Sequence, residues 1–489
     1  MKFITKLIGS DPLRGSDPLR ALFLASYLFL ILAYAAISLG KHYRFETHAY
    51  DLGIYDQVVW HLSRFERPES TIRGFDNYFL VDHFEPALFI IAPLYRLSAT
   101  PYILLLVQLF LTLVVGGLGL YKLVHLLTDE ARASWLLVLA WSLSLGVQQA
   151  LNFDFHTSVL AAGLYPWILY WWEQKKWRRA LGLAIVCLLL KEETAFYLAG
   201  IAIFMIVTRK YAKLALVLLV ASVAWFLAVT GVVMTGYHFS ELYENLGSNW
   251  LTRICYLASP RRLLTSLFGQ TAKGLTWRYF FFSSLGLGFI SSGVVLLLPS
   301  FFRNFLASLE RAWSVDFHYW IEAEYFLYIS VGYFLLWLKK RLPPANFSSL
   351  AVKAAFFILI FTAFASLEEG RPLRDFANNH QKFFSPLPID QTLREALAKI
   401  PKDAAVSAQD TLVPHLSARR KVYLLYNLAD ADYIIYSLSG FDYLTVYPVV
   451  KEGFMEFDRK MRVDDRYRLV FDQDGVVVLC LKSSQFCQT

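Results

Sequence analysis

The chain has 489 residues, of which 56% are hydrophobic, 17% aromatic and only 18% charged, whereas a soluble domain carries roughly 45–50% apolar residues. Together with a mean hydropathy of +0.43, these values exclude a water-soluble enzyme and indicate a multi-pass helical membrane protein. The balance of 47 basic against 39 acidic residues, net +8, reports orientation in such a protein before it reports nucleic acid, and no basic block with interleaved aromatics points to a nucleic-acid partner.

Apolar runs approaching the ~20 residues that cross a bilayer as helix fall near residues 21–39, 102–121, 133–150, 158–173, 179–191, 194–208, 213–234, 278–292, 293–308, 321–338 and 351–367. The first lacks a small-residue cleavage site and reads as a retained span, not a signal peptide. Cationic clusters alternate with these runs: Lys2, Lys6, Arg14 and Arg20; Lys122 and Arg132; Lys175, Lys176, Arg178 and Arg179; Arg209, Lys210 and Lys213; Lys339, Lys340 and Arg341. Placing them in the cytoplasm, in the cell membrane of a prokaryote, puts most acids and histidines on the outer face. The expectation is an all-α polytopic protein of about eleven transmembrane helices, N-terminus inside and C-terminus outside. Residues 179–208 also admit one long helix with Lys191, Glu192 and Glu193 at its middle. That would invert every later loop, so a hairpin of two short helices is the better reading.

Residues 40–101 read as a long first external loop with two apolar stretches, Ile54 to Leu62 and Ala87 to Leu97, too short to span and suited to the membrane interface. Residues 235–277 have the same character. Residues 1–369 thus form the membrane domain. From 370 to 489 the composition becomes that of a soluble extracytoplasmic α/β domain. There a helix near Thr392 to Lys399 precedes strand-like runs at Ala404 to Ser407, Val422 to Tyr426 and Tyr433 to Tyr436. Arg468 to Phe471 and Val476 to Leu481 flank a hairpin turn at Asp472-Gln473-Asp474-Gly475. Four cysteines, Cys187, Cys255, Cys480 and Cys487, do not make a zinc site or a disulfide framework; Cys480 and Cys487 have the spacing to bridge in an oxidising compartment.

The densest polar feature is Tyr50-Asp51-Leu52-Gly53-Ile54-Tyr55-Asp56-Gln57. Asp51 is either the N-cap of an interfacial helix or a general base whose basicity is raised by partial desolvation. Asp82-His83-Phe84-Glu85-Pro86, Asn152-Phe153-Asp154-Phe155-His156 and Asp316-Phe317-His318-Tyr319 fall on the same face, as does Lys191-Glu192-Glu193. Each alone is a weak metal or substrate signal, but charge at membrane depth is costly and is usually kept for a pathway or site. Lys191 either neutralises its neighbours or offers a fixed charge to a phosphate. The tryptophans at Trp167, Trp171, Trp172 and Trp177 read as an interfacial belt. Tyr237-His238 and Arg261-Arg262 carry weaker lipid-contact signals.

Taken together, the motif from Tyr50 to Gln57, His83 to Pro86, Asp154 to His156, Lys191 to Glu193 and Asp316 to Tyr319 resembles a prokaryotic multi-pass membrane family catalogued as a domain of unknown function. That family is similar to the GT-C superfamily of polyprenyl-phosphate-sugar-dependent glycosyltransferases. The stretch from Ile400 to Ser407, through Val413 to Ser417, to Lys421-Val422-Tyr423 is similar to the family's external tail. The family more often has Phe at position 50, Pro at 157 and Asp at 193, where this chain has Tyr50, Thr157 and Glu193.

The resemblance implies inverting sugar transfer from a polyprenyl-phosphate donor at the outer face, with Asp51 as the residue that activates the acceptor. Lys191 and His318 are then candidates to stabilise the leaving phosphate, and Asp56, Asp82, His83, Glu85, Asp154, His156, Glu192 and Glu193 to line the sugar or hold a divalent cation such as Mg or Mn. A metal requirement is left open, because members of this superfamily often need none. The acceptor, whether lipid, glycan or protein, is not indicated. Two other classes stand beside this one. A transporter or flippase would place polar groups through both halves of the membrane, whereas here they gather at the outer ends. A non-catalytic assembly protein would keep the fold without needing Asp51.

Overall fold

The structure, a computed structural model, describes residues 18–72, 78–234, 250–368, 370–439 and 451–487, together with Tyr243 and Leu246. The basic residues Lys2, Lys6 and Arg14 and the pair Tyr237-His238 lie outside the described residues. The chain is mostly helical, with a small sheet near its C-terminus.

Among the described residues, five helices are long and apolar enough to cross a membrane: Pro18–Tyr43, Tyr102–Thr128, Ala212–Val233, His318–Lys339 and Pro344–Ser366. Ala131–Leu143 and Leu145–Asn152, bent by 50°, make a sixth when taken as one span. The difference from the expected eleven has a length argument behind it. Trp177–Leu190 and Thr194–Val207 have 14 residues each, a rise of about 21 Å at 1.5 Å per residue against the ~30 Å of a hydrocarbon core. The run at 158–173 is divided into Thr157–Ala162 and Tyr165–Glu173. The run at 278–292 breaks at Gly286, whose φ of 69° lies in the left-handed region.

Two local readings are settled by geometry. Lys191 is extended, with φ −163° and ψ 145°, so residues 177–207 form two helices with Lys191, Glu192 and Glu193 at the break. Helices do form at Ile54–Ser63 and Leu88–Tyr95, but Ile54–Ser63 does not lie open on a leaflet. All ten of its residues are buried, because it packs against Leu88–Tyr95 and is bonded through Asp56 and Gln57 to Ser417, Arg419 and Arg420 of the C-terminal segment.

The sheet comprises β1 (Val406–Ala408), β2 (Val422–Leu424), β3 (Tyr433–Ser437), β4 (Tyr467–Gln473) and β5 (Val476–Leu481), in the order β2-β1-β3-β5-β4. β1 runs parallel to β2 and β3, while β5 is antiparallel to β3 and β4. Gln473 pairs with Val476, leaving a two-residue turn in which Asp474 and Gly475 take φ of 52° and 82°. Two positive φ values are what a type I′ hairpin turn requires, and Asp-Gly supplies them at low cost. Cys480 on β5 is joined to Cys487, with their Cα atoms 5.8 Å apart.

One apolar core runs without interruption from the membrane helices into this C-terminal segment. Phe45, Ala49 and Leu52 of the first loop share it with Leu412, Val413 and Leu416. The approach is close at Gly53, where a Cβ would stand 3.1 Å from Val413 Cγ1 and 3.3 Å from Ile72 Cδ1. His415 enters the same seam, its ring stacked on His42 at 4.2 Å and against Phe45 at 4.1 Å.

Candidate functional site

Residues 48–53 form a tight turn ahead of helix Ile54–Ser63, closed by a 3.2 Å hydrogen bond from the Gly53 N–H to the His48 carbonyl. Within it Asp51 has φ 82° and ψ −95°, close to the rare and strained γ-turn. Such a conformation persists only when its surroundings over-determine it. Asp154 accepts the His48 N–H at 2.7 Å. Asp410 accepts the Ala49 N–H at 2.9 Å with one oxygen and pairs with His48 Nδ1 at 2.6 Å with the other. Asp51 is not the N-cap of the following helix: that position belongs to Gly53, with no side-chain cap bond.

The strained turn delivers the Asp51 carboxylate to a cavity of about 310 Å³. Its Oδ1 lies 3.1 Å from His156 Nε2, and a third of the side chain is exposed. Burial raises the Asp51 pKa, but the charge and hydrogen bond of His156, then Lys191 and His83, outweigh it, and the carboxyl is held below its usual value. Desolvation therefore does not raise the basicity of Asp51 on balance, as the sequence reading expected, and the group is ionised at neutral pH. The His156 ring stacks on His318 at 3.9 Å, and Phe153 packs on both rings.

The cavity's other walls carry three cations, Lys191, Arg303 and Arg311, and two further carboxylates, Glu192 and Glu193, with His83, Tyr55 and Tyr319 between them. Lys191 Nζ is 3.5 Å from Glu85 Oε1, which also accepts the Tyr55 hydroxyl at 2.9 Å. Burial pushes the Lys191 pKa down, but the fields of Tyr55, Glu85, Glu193 and Glu192 hold it well above its ordinary value, so Lys191 stays protonated. Arg303 pairs with Glu193 at 2.5 Å. Glu192 accepts the Phe84 N–H at 3.3 Å and lies 3.7 Å from His83 Nδ1. Arg311 has no ion-pair partner among the described residues. His83, Glu85 and Glu192 each offer a ligand atom, all within 4.8 Å of one another, a donor set that suits a divalent cation.

Of the residues expected at the site, Asp51, His83, His156, Lys191, Glu192, Glu193 and His318 line this cavity, and Glu85 sits behind Lys191. Besides Glu85, three others do not line it. Asp56 is fully buried away from it, bonded to the Tyr95 hydroxyl at 2.6 Å and the Ser417 hydroxyl at 2.7 Å. Asp154 turns its carboxylate to the His48 amide. Asp82 lies 3.3 Å from His83 Nε2, outside the lining. Arg303, Arg311 and Asp410 escaped the sequence reading. A signal existed for Arg303, a lone cation in the apolar helix Val294–Leu306, since intramembrane charge marks function. Asp410 had none, lying 361 positions from the amide it accepts.

Residues 41–478 match a family described as "Predicted membrane protein (DUF2079)". No curated protein matches the sequence. Among solved structures, ArnT from Cupriavidus metallidurans bound to undecaprenyl phosphate is similar with a TM-score of 0.55 and 13% identity, over 96% of this chain and 99% of that one. The same protein in the apo state gives a TM-score of 0.51 and 12% identity, over 95% and 98%. At such identity the likeness shows the fold, which is ArnT-like and agrees with the GT-C resemblance drawn from the motifs. The family match spans most of the sequence, and the chain therefore belongs to the DUF2079 family of membrane proteins.

Proposed function

We propose that this protein transfers a sugar from a polyprenyl-phosphate donor to an acceptor hydroxyl, with inversion, at the outer face of the cell membrane. The observation that carries the reading is the polarity of the cavity. One ionised carboxylate, Asp51, is bonded to a histidine and not neutralised by a directly paired Lys or Arg, and it shares the cavity with Arg311, which has no ion-pair partner among the described residues. ArnT, whose fold is similar, was crystallised with undecaprenyl phosphate, which supports a donor of this class.

In this reading the Asp51 carboxylate takes the acceptor hydroxyl's proton as that oxygen attacks the anomeric carbon. The bond from that carbon to the phosphate oxygen breaks, and polyprenyl phosphate leaves with the bonding electrons. Because Asp51 is a weak base, proton transfer runs late, when the attacking oxygen has become acidic. Charge develops on the leaving phosphate, and Arg311 meets it directly, with Lys191 and Arg303 adding fixed charge and His318 completing the wall. Glu192, Glu193 and His83 present acceptors and a donor to sugar hydroxyls. A divalent cation held by His83, Glu85 and Glu192 would add positive charge on the same side.

A lipid-linked donor keeps its phosphate at the interface, which suits a cavity built from turns between spans. The topology that goes with this proposal has the N-terminus cytoplasmic and residues 370–489 as an extracytoplasmic domain. The test is transfer of radiolabelled sugar from a panel of polyprenyl-phosphate donors, in membranes with matched expression of wild type, Asp51→Asn or neither. Protein-dependent transfer that collapses in Asp51→Asn is the expected result. Transfer indifferent to Asp51→Asn removes the base, and no transfer from any donor overturns the reading.

A further inference from the structure

We propose that Asp410, from the C-terminal segment, is a positioning residue for Asp51: it holds the 48–53 turn in the strained conformation that presents the Asp51 carboxylate to the cavity. The inference deepens the proposed function and rests on Asp51 being the base. Its ground is the pattern of anchors on the turn. Two successive amides, His48 N–H and Ala49 N–H, are each taken by a carboxylate, one from Asp154 and one from Asp410. The second oxygen of Asp410 binds the His48 ring. A carboxylate that receives two donors in this way fixes direction as well as distance.

Val413 of the same segment meets the turn through apolar contact at Gly53, but Asp410 differs from the other polar residues by which its segment docks. Ser417 bonds to Asp56, on the helix after the turn, and His415 stacks on His42 and Phe45, before it. Those contacts hold the segment in place, whereas Asp410 grips the turn itself from a buried position with 5% of its surface exposed. The local backbone bond from the Gly53 N–H to the His48 carbonyl closes the turn but does not relieve the strain of an L side chain at φ 82°. The membrane region alone therefore supplies the base but only one of the two carboxylates that aim it, and residues from both parts of the chain complete one site.

The test uses the full chain in lipid nanodiscs and compares Asp410→Asn with Ser417→Ala, which loosens the same seam without touching the turn. Asp410→Asn should speed hydrogen exchange in residues 48–53 by about tenfold or more. It should also lower kcat by about ten- to a hundredfold, leaving the donor KM within about twofold. Ser417→Ala should lower the melting temperature while leaving exchange at the turn and kcat unchanged. Asp410→Glu, which keeps the charge, is measured in the same way in case Asp410→Asn does not reach the membrane. Unchanged exchange at the turn overturns the proposal, and so does an equal loss of kcat in Ser417→Ala. If Asp51→Asn retains transfer, the base assignment falls separately, and the exchange comparison alone decides whether Asp410 holds the turn.

Discussion

Asp51 and Asp56 stand five positions apart in one motif, yet they belong to two regions that treat a carboxylate in opposite ways. In the cavity, Asp51 keeps a third of its side chain exposed and has His156 at 3.1 Å, and neighbouring positive charge holds it ionised. In the seam between the first loop and the C-terminal segment, Asp56 is fully buried with two hydroxyls as its partners. Burial pushes its pKa up to about 7 against the pull of those hydrogen bonds. The lesson is that a carboxylate's chemistry is set by what the fold places opposite it. Cations and an open wall make a group ready to react; hydroxyls and apolar cover make a fastener.

The comparison can be broken first at Asp51. Loss of a general base costs about 10²–10⁴-fold in rate, so Asp51→Asn should reduce transfer by that order without shifting the melting temperature, whereas an equal loss from Asp56→Asn would erase the distinction between the regions. Next comes Arg311→Gln, which in the proposed transfer removes a cation facing the developing charge and should cost about 10²–10³-fold in kcat. An unchanged kcat would show that the phosphate sits elsewhere.

Lys191→Gln is a mixed case, since it strips the buried Glu85 of its cation at 3.5 Å. Breaking a buried pair from one side costs about 3–5 kcal/mol, so the variant should melt earlier as well as react more slowly, and Glu85→Gln added to it should restore much of the stability but not the activity.

The smallest effects lie in the seam and are read against pH. With a folded pKa of about 7 and an ordinary unfolded value of about 3.9, Asp56 retains a proton in the folded state that it loses when unfolded, so it takes stability away as pH rises through that window. Asp56→Asn should therefore match wild type below about pH 4 and melt at a higher temperature near pH 7. Burial lowers the His48 pKa, but the hydrogen bond to Asp410 and the charges of Asp154 and Asp410 raise it on balance. Its contribution is full below the ordinary value of about 6.5 and is lost as pH rises through the raised one. His48→Gln should flatten that slope in a thermal melt, and a slope unchanged by the substitution would place the titrating group elsewhere.

Much of this architecture is readable from local signals. The hairpin between β4 and β5 follows from Asp474-Gly475 between the strand-like runs Arg468 to Phe471 and Val476 to Leu481, and the break at Lys191 follows from charge that no apolar helix would carry through its middle. The polar turns that line the cavity are visible for the same reason, because ionisable groups stand out against an apolar background. Arg303 stands out too and deserved the same reading. Arg311 does not, as an arginine beside Glu310 looks like any solvated surface pair. The difference between Asp51 and Asp56 was equally illegible, since neither spacing nor helix phase says which carboxylate a distant segment will cover.

Composition and apolar periodicity alone determined that this is a helical membrane protein with a small C-terminal sheet and polar turns between its apolar runs, because transfer free energies act residue by residue and leave their mark on the sequence. Only the tertiary structure decided which polar groups meet. It brought Asp410 to the Ala49 amide across 361 positions, bonded Asp56 and Gln57 of the helix Ile54–Ser63 to the C-terminal segment, and set Asp51 and Arg311 in one cavity. Hydrogen bonds and ion pairs act over a few ångströms, and the distances that matter to them are created by packing, which no local stretch of sequence contains.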